Sequence, residues 1–305
     1  MGSLSRCSHA PHAVRGRRLV VLTAILVTSA AASSSPEAPG SSPPLADAER
    51  EAFLLEGKIV GDRSIPEGIT LPRRVTLRQD DFEHDALVQT HDEHETRKHL
   101  EGGVELDFRD SWRNNVAAYR LDRLLGLGFV PVTVVRSYRQ EPAGWSWWVD
   151  DVLMAEKDRY ERGIDPPAPL GWVLQVFVVR VFDQLIYNFD RSLENLLIDQ
   201  DWRAWMIDHT RSFKVFGELR DEKELPGRCE RHLLAAMRRL DRPTLARTME
   251  GLLSGRQIDG LLERRDKIVR FYDHLIATRG EPAVLYELPL RVRSADDPRD
   301  QPSPR

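Results

Sequence analysis

Two short stretches of this chain carry residue types suited to phosphate chemistry. The first is Asn188-Phe189-Asp190-Arg191-Ser192-Leu193-Glu194-Asn195, and the second is Trp205-Met206-Ile207-Asp208-His209. Asp190 is able to take a proton from an attacking hydroxyl. Asn195 and Asp208 bring the hard oxygen donors that Mg²⁺ prefers. Phosphoryl transfer needs this division of labour, because its catalysis is mostly positioning and charge stabilisation. Each residue also has a plainer reading. Asp190-Arg191 suits an exposed ion pair worth about 0–1 kcal/mol, Asn195 a helix cap, and Asp208 a turn after a strand. The apolar flanks Leu196-Leu197-Ile198 and Trp205-Met206-Ile207 favour the joint arrangement.

The surrounding elements must hold these residues. A short helix is predicted over Ala46–Glu56, followed by paired strands within Lys58–Leu77 around a Pro66-Glu67-Gly68 turn. Ala86–Thr90 reads as another strand. His91–Gly103 is dense in charge and reads as a mobile surface loop. Asn114–Leu127 has apolar residues at three- and four-residue spacing and ends at Gly126 and Gly128, the pattern of an amphipathic helix. Val130–Val135 is a β-branched strand, and Trp145–Leu153 a second, aromatic one. The apolar run Trp172–Tyr187 is long enough to favour a buried helix. Beyond Asp208 the chain is mostly helical to about Thr278. Strands with one helix first and helices afterwards argue for an α+β fold rather than a doubly wound sheet.

The chain has 305 residues, 41% of them hydrophobic, enough for a packed core. Arg15, Arg17 and Arg18 precede the apolar run Leu19–Val27, which ends in Ser29-Ala30-Ala31-Ala32, the order of a secretory signal peptide. The run is shorter than the roughly 20 residues of a membrane span. Cleavage after residue 32 removes four Arg and no acid, taking the net charge from −4 to −8. Such a protein is exported to the periplasm or beyond, or held at the membrane by an uncleaved signal. An acidic mature chain is poorly suited to nonspecific nucleic-acid binding, and it carries no stable membrane span. Cys7 lies in the signal, which leaves Cys229 alone and excludes a disulfide framework. Residues 33–50, rich in Ser and Pro at the start, read as a disordered linker, and residues 289–305 as a disordered tail. His91-x-x-His94 has the spacing of a metal pair, but no Cys supports it. No Gly-x-Ser-x-Gly elbow marks a hydrolase.

Asp190-Arg191-x-x-x-Asn195 followed by Ile207-Asp208-His209-Thr210 resembles the catalytic and metal-binding segments of the atypical protein-kinase-like superfamily. Phosphatidylinositol kinases, HipA-type kinases and secretory-pathway kinases of the Golgi casein-kinase type belong there. Asn115–Gly126 with Phe129–Thr133 is similar to the αC region and following strand of the secretory-pathway group. The likeness spans about Glu56 to Leu288, and the layout is closest to uncharacterised exported bacterial proteins. The resemblance implies a two-lobed fold, with a small β-rich lobe over residues 51–148 and a helical lobe over 149–288. It implies ATP with Mg²⁺ or Mn²⁺ between the lobes, and γ-phosphoryl transfer to a hydroxyl acceptor of unidentified class. Asp190 takes the base position, Arg191 braces the loop, and Asn195 and Asp208 take the metal positions. Gln89, Asn115 and Asp150 fall on the nucleotide side. Gln89 and Asn115 stand where such kinases carry a phosphate-binding Lys and its Glu partner. Those two amides imply the alternative of a pseudokinase, a nucleotide- or partner-binding module without turnover. The loop Ser64–Thr70 holds one Gly where the related phosphate-covering loops hold several.

Overall fold

A computed structural model describes residues 45–65, 72–100 and 103–288. The expected signal peptide, the turn and loop within residues 66–71, and the tail beyond residue 288 lie outside these residues. So does the linker up to residue 44.

The first helix, α1 (Asp47–Glu56), starts inside the stretch read as linker, and the Glu49 carboxylate accepts the Ala46 N–H at 2.6 Å. Strands β1 (Lys58–Ser64), β2 (Arg73–Gln79) and β3 (Phe82–Gln89) follow as an antiparallel meander. Next come β4 (Asp92–Leu100), β5 (Gly103–Ser111) and α2 (Trp112–Leu125). Strands β6 (Thr133–Tyr138) and β7 (Glu141–Trp147) then complete a five-stranded antiparallel sheet in the order β1-β2-β3-β7-β6. The second half holds β8 (Val152–Ala155), α3 (Glu156–Glu161), α4 (Pro169–Ile186), β9 (Leu196–Asp199) and β10 (Ala204–Met206). It closes with β11 (Cys229–Glu230), α5 (Arg231–Arg239), α6 (Arg242–Thr248), α7 (Gly255–Arg279), α8 (Glu281–Val284) and β12 (Leu285–Tyr286). The result is a two-lobed α+β fold, with a sheet-rich first half and a mainly helical second half.

The sequence signals explain the main elements. In α2 the Ser111 hydroxyl caps the first turn by accepting the Arg113 N–H at 3.1 Å. Gly126 ends the helix at φ 70°, a left-handed position that suits glycine. Its apolar face buries Trp112, Val116, Leu121 and Leu125 against the sheet. A Cβ on Gly144 in β7 would lie 3.4 Å from Trp112, so sheet and helix pack closely. Helix α4 opens with Pro169 and buries Val178, Val181, Phe182, Leu185 and Ile186. Among the described residues it is the one helix long and apolar enough to cross a membrane, and half of it is buried within the fold.

Two expectations need correction. The charged stretch from His91 is not a loop: β4 and β5 form an antiparallel hairpin with Asp92 opposite Ser111 and Leu100 opposite Gly103. Its charges neutralise one another across and along the strands, Lys98 with Glu93 and His94 with Asp107. A strand exposed on both faces lacks the polar–apolar alternation that betrays most strands. The aromatic strand expected over Trp145–Leu153 is in fact two strands. The chain breaks at Trp148–Asp151, where Trp148 N–H donates to Asp85 O at 3.1 Å and Asp151 sits at φ 53°.

Asp122 joins α2 to the wall of the cleft below. This fully buried carboxylate accepts the N–H groups of Gly128, Phe129 and Val130 at 2.9, 2.9 and 3.2 Å, and pairs with Arg123. Burial pushes its pKa up, against the Arg123 charge and the three N–H bonds. Asp122→Ala would remove the carboxylate that accepts three N–H groups and pairs with Arg123. We expect a loss of about 3–5 kcal/mol, the range for breaking a buried pair. Urea unfolding measures it, and a loss below about 1 kcal/mol would show that the turn holds without this carboxylate.

Candidate active site

The loop after α4 is held by one guanidinium. Arg191 donates to both oxygens of Asp183, each at 3.0 Å, and through Nη1 to Asn195 O at 2.8 Å and Ile207 O at 2.7 Å. Asn188 adds a bond from Nδ2 to Asp183 Oδ1 at 3.0 Å and accepts the Asp190 N–H at 3.2 Å. Ile207 N–H donates to Asn195 O at 3.1 Å. One network therefore fixes the backbones of Asp190, Asn195 and the residue before Asp208. Arg191 acts through that network, as a brace.

Asp208 follows β10 at φ 52°. Its Oδ1 accepts Thr210 N–H at 3.3 Å and Thr210 Oγ1–H at 3.0 Å. The next residue is tied to the other lobe, because His209 N–H donates to Asn115 Oδ1 at 2.6 Å. Asn115 Nδ2 in turn donates to Gln89 Oε1 at 2.6 Å. Gln89 on β3 and Asn115 on α2 thus meet, both buried, directly beside the Asp208 segment. Neighbouring Asn114 donates to Thr210 O at 2.7 Å and Ser212 O at 3.0 Å.

Asp190 and Asp208 are both exposed. Burial by its surroundings raises the Asp190 pKa, the Arg211 charge opposes it, and Asp208, Asp110 and Glu105 add to the rise. The two carboxylates therefore feel each other, and Arg211 is the cation beside them. Among the described residues no three His, Cys, Asp or Glu side chains stand in a metal-binding group. A divalent cation would here rest on one carboxylate, one amide and ligand oxygens.

A cavity of about 510 Å³ opens between the lobes, within the size range of small-ligand sites. Leu87, Val130 and Trp147 wall one side, and Leu197, Met206 and Ile207 the other, with Asp208, His209 and Asn115 at its end. Asp150 lies on its rim beside Trp148 and Asp151. Its carboxylate meets His84 Nε2 at 2.5 Å, and the His84 ring stacks on Trp147 with centroids 3.7 Å apart. Trp145 is core and Trp147 serves both core and cleft. Lys98 pairs with Glu93, and Lys58 is exposed on β1. His91 and His94 pair with carboxylates on the hairpin.

Sequence reasoning missed Arg211, Lys214, Glu105 and Asp107. Arg211 and Lys214 lie on the irregular segment after Asp208, and Glu105 and Asp107 on β5, beyond the stretch His91–Gly103 expected as a loop. Only a correct strand pairing could have brought them together.

No family model matches this chain, and no curated protein does. Solved structures do. A structure of hydra Fam20 with sugar superposes with a TM-score of 0.57 at 15% identity, over 79% of this chain and 92% of that one. The Golgi casein kinase superposes with a TM-score of 0.56 at 13% identity, over 80% of this chain and 78% of that one. Its form with Mn/ADP bound gives the same score and identity over 80% of each chain. The chain shares the two-lobed fold of these kinase structures.

His209 sets a pH dependence of stability. Its ring is buried, and Nε2 meets no hydrogen-bond partner among the described residues. Burial first, and then the Arg191 charge, push its pKa well below 6.5. The folded chain keeps it neutral, while the unfolded chain protonates it below about 6.5. Stability therefore falls as pH drops from about 6.5 toward the folded value, by up to about 1.4 kcal/mol per pH unit. Urea unfolding at pH 7.5 and 5.5 should show a larger loss for the native chain than for His209→Leu. Equal losses would show that His209 is not the group responsible.

Proposed function

We propose that this chain is a phosphotransferase that binds ATP with Mg²⁺ or Mn²⁺ in the interlobe cleft. It transfers the γ-phosphoryl group to a hydroxyl acceptor. The observation that carries this reading is the Arg191 network, which braces the loop of Asp190 at the carbonyls of Asn195 and Ile207, the residue before Asp208, and Asp208 in turn lines a nucleotide-sized cavity. The fold shared with the Golgi casein kinase, one structure of which holds Mn/ADP, agrees with it.

In this reading the adenine lies between the apolar walls, with Asp150 near the ribose. Asp208 and Asn195 would hold the metal, whose bound charge offsets that of the phosphates. Asp190 orients the acceptor hydroxyl and takes its proton as the O–P bond forms and ADP leaves. Its raised pKa makes it a better base than an ordinary aspartate. The acceptor is a sugar, protein or lipid hydroxyl. The chain acts after export, through the signal-like segment at its N-terminus.

The second reading, a binding module without turnover, rests on the Asn115–Gln89 bond. A hydrogen bond between neutral groups contributes about 0.5–1.5 kcal/mol, against about 1.5–3 for one to a charged group. Replacing the Lys by Gln therefore costs phosphate binding about tenfold or more.

A thermal shift with millimolar ATP, with and without Mg²⁺ or Mn²⁺, separates the readings. We expect a metal-dependent shift that Asp208→Ala lowers by at least about tenfold in apparent affinity, or about 1.4 kcal/mol. Asp190→Asn should keep the shift and lose about 10²–10⁴-fold in transfer rate. A metal-dependent shift with no transfer to any hydroxyl, water included, selects the binding module. No shift at all removes the phosphotransferase reading.

A further inference from the structure

The segment after Asp208 carries two cations that nothing in its own sequence neutralises. Lys214 is 2% exposed, and Arg211 lies between the rings of Phe108 and Phe189, with centroids 4.5 and 4.8 Å away. The Lys214 ammonium lies 4.7 Å from the same Phe189 ring. Phe189 directly precedes Asp190, and Arg211 is the cation that opposes the rise of the Asp190 pKa. Two like charges against one ring, in a packed setting, need a shared anion.

That anion is Glu105, carried in by β5 from the other lobe. One carboxylate oxygen bonds Arg211 Nη2 at 2.6 Å and the other bonds Lys214 Nζ. The hairpin adds backbone support on both sides. Leu106 O accepts Lys214 Nζ at 3.3 Å, the Asp107 carboxylate accepts Val215 N–H at 2.9 Å, and Thr210 O accepts Ser111 N–H at 3.1 Å. Asp107 is itself held by Arg109 at 2.9 Å and His94 at 3.0 Å, and adopts φ 48°. Burial lowers the Lys214 pKa, Glu105 opposes this, and Arg211 adds to the lowering, so the two cations repel.

We propose that Glu105 is a positioning residue of the site. By pairing with Arg211 and Lys214 it holds the Arg211 guanidinium beside Asp190 and orders residues 211–216, with no covalent modification and no partner chain. This rests on the phosphotransferase reading for its effect on rate, and on the contacts alone for its effect on order. The metal-binding Asp208 is tethered separately through Asn115 and Thr210, so nucleotide binding does not depend on Glu105.

Glu105→Gln keeps the shape and removes the charge. Hydrogen exchange followed by mass spectrometry should show residues 211–216 exchanging at least about tenfold faster, with α7 and the five-stranded sheet unchanged. The ATP–Mg²⁺ thermal shift should persist, and transfer should slow about tenfold or more at unchanged nucleotide KM. Unchanged exchange over 211–216 overturns the proposal. If Glu105→Gln loosens the whole fold, the double variant Glu105→Gln/Lys214→Met decides, since its buried lysine charge is gone. Recovery of global protection with 211–216 still fast and transfer still slow supports positioning; recovery of all three overturns it. If the native chain binds no nucleotide, the phosphotransferase reading fails while the exchange result still settles whether Glu105 orders the segment.

Discussion

The site depends on a single guanidinium with four acceptors. Arg191 joins Asp183 at the end of α4 to the carbonyls of Asn195 and Ile207. The hydrogen-bonding fork is rigid, so it sets distances as well as supplying energy. The negative charges of Asp190 and Asp208 repel, and an unbraced loop would let them move apart. The brace acts on the main chain and leaves the Asp190 and Asp208 side chains at the surface for a ligand. It also explains why Asp183 sits buried in α4: its charge is fully used by Arg191 and Asn188.

The Gln89–Asn115 contact follows a related logic with the charge removed. A buried ion pair pays for itself only when its geometry is excellent and its remaining lone pairs are bonded. Two amides bury at lower cost and still make a directional contact. Asn115 uses both ends, donating to Gln89 and accepting from the His209 N–H. The link from sheet through α2 to the Asp208 segment survives without any cation.

The α+β class, the buried α4 and the amphipathic α2 were legible because periodicity and capping residues are local signals. Ser111, Gly126 and Pro169 mark their helices within one turn. The pairing of the Asp190–Asn195 loop with the Asp208 segment was suggested by residue types and motif resemblance, and the bonds from Arg191 to Asn195 O and Ile207 O join these two stretches. The hairpin was not legible. A strand such as Asp92–Leu100 that buries neither face has no apolar alternation to reveal it, and its pairing rests on cross-strand charges. The Trp145–Leu153 misreading has another cause. Apolar residues line the cleft on both sides of the Trp148–Asp151 break, so hydrophobicity runs through a turn.

The missed hairpin changes the charge map of the site. The β3–α2 side of the cleft offers the amides of Gln89 and Asn115. The positive charge around Asp190 comes instead from Arg211, on the segment after Asp208. The Arg211 guanidinium lies against the rings of Phe108 and Phe189, 4.5 and 4.8 Å from their centroids, and is only partly exposed. Left alone it would also be costly to bury, and would repel Lys214. The hairpin's carboxylate resolves both problems, and it arrives from the same lobe that supplies Gln89 and Asn115. Arg211 is therefore held by Glu105 from the first lobe, while Arg191 braces the Asp190 loop within the second. Any reorientation of the lobes must break the Glu105 pairs or carry residues 211–216 along with the hairpin.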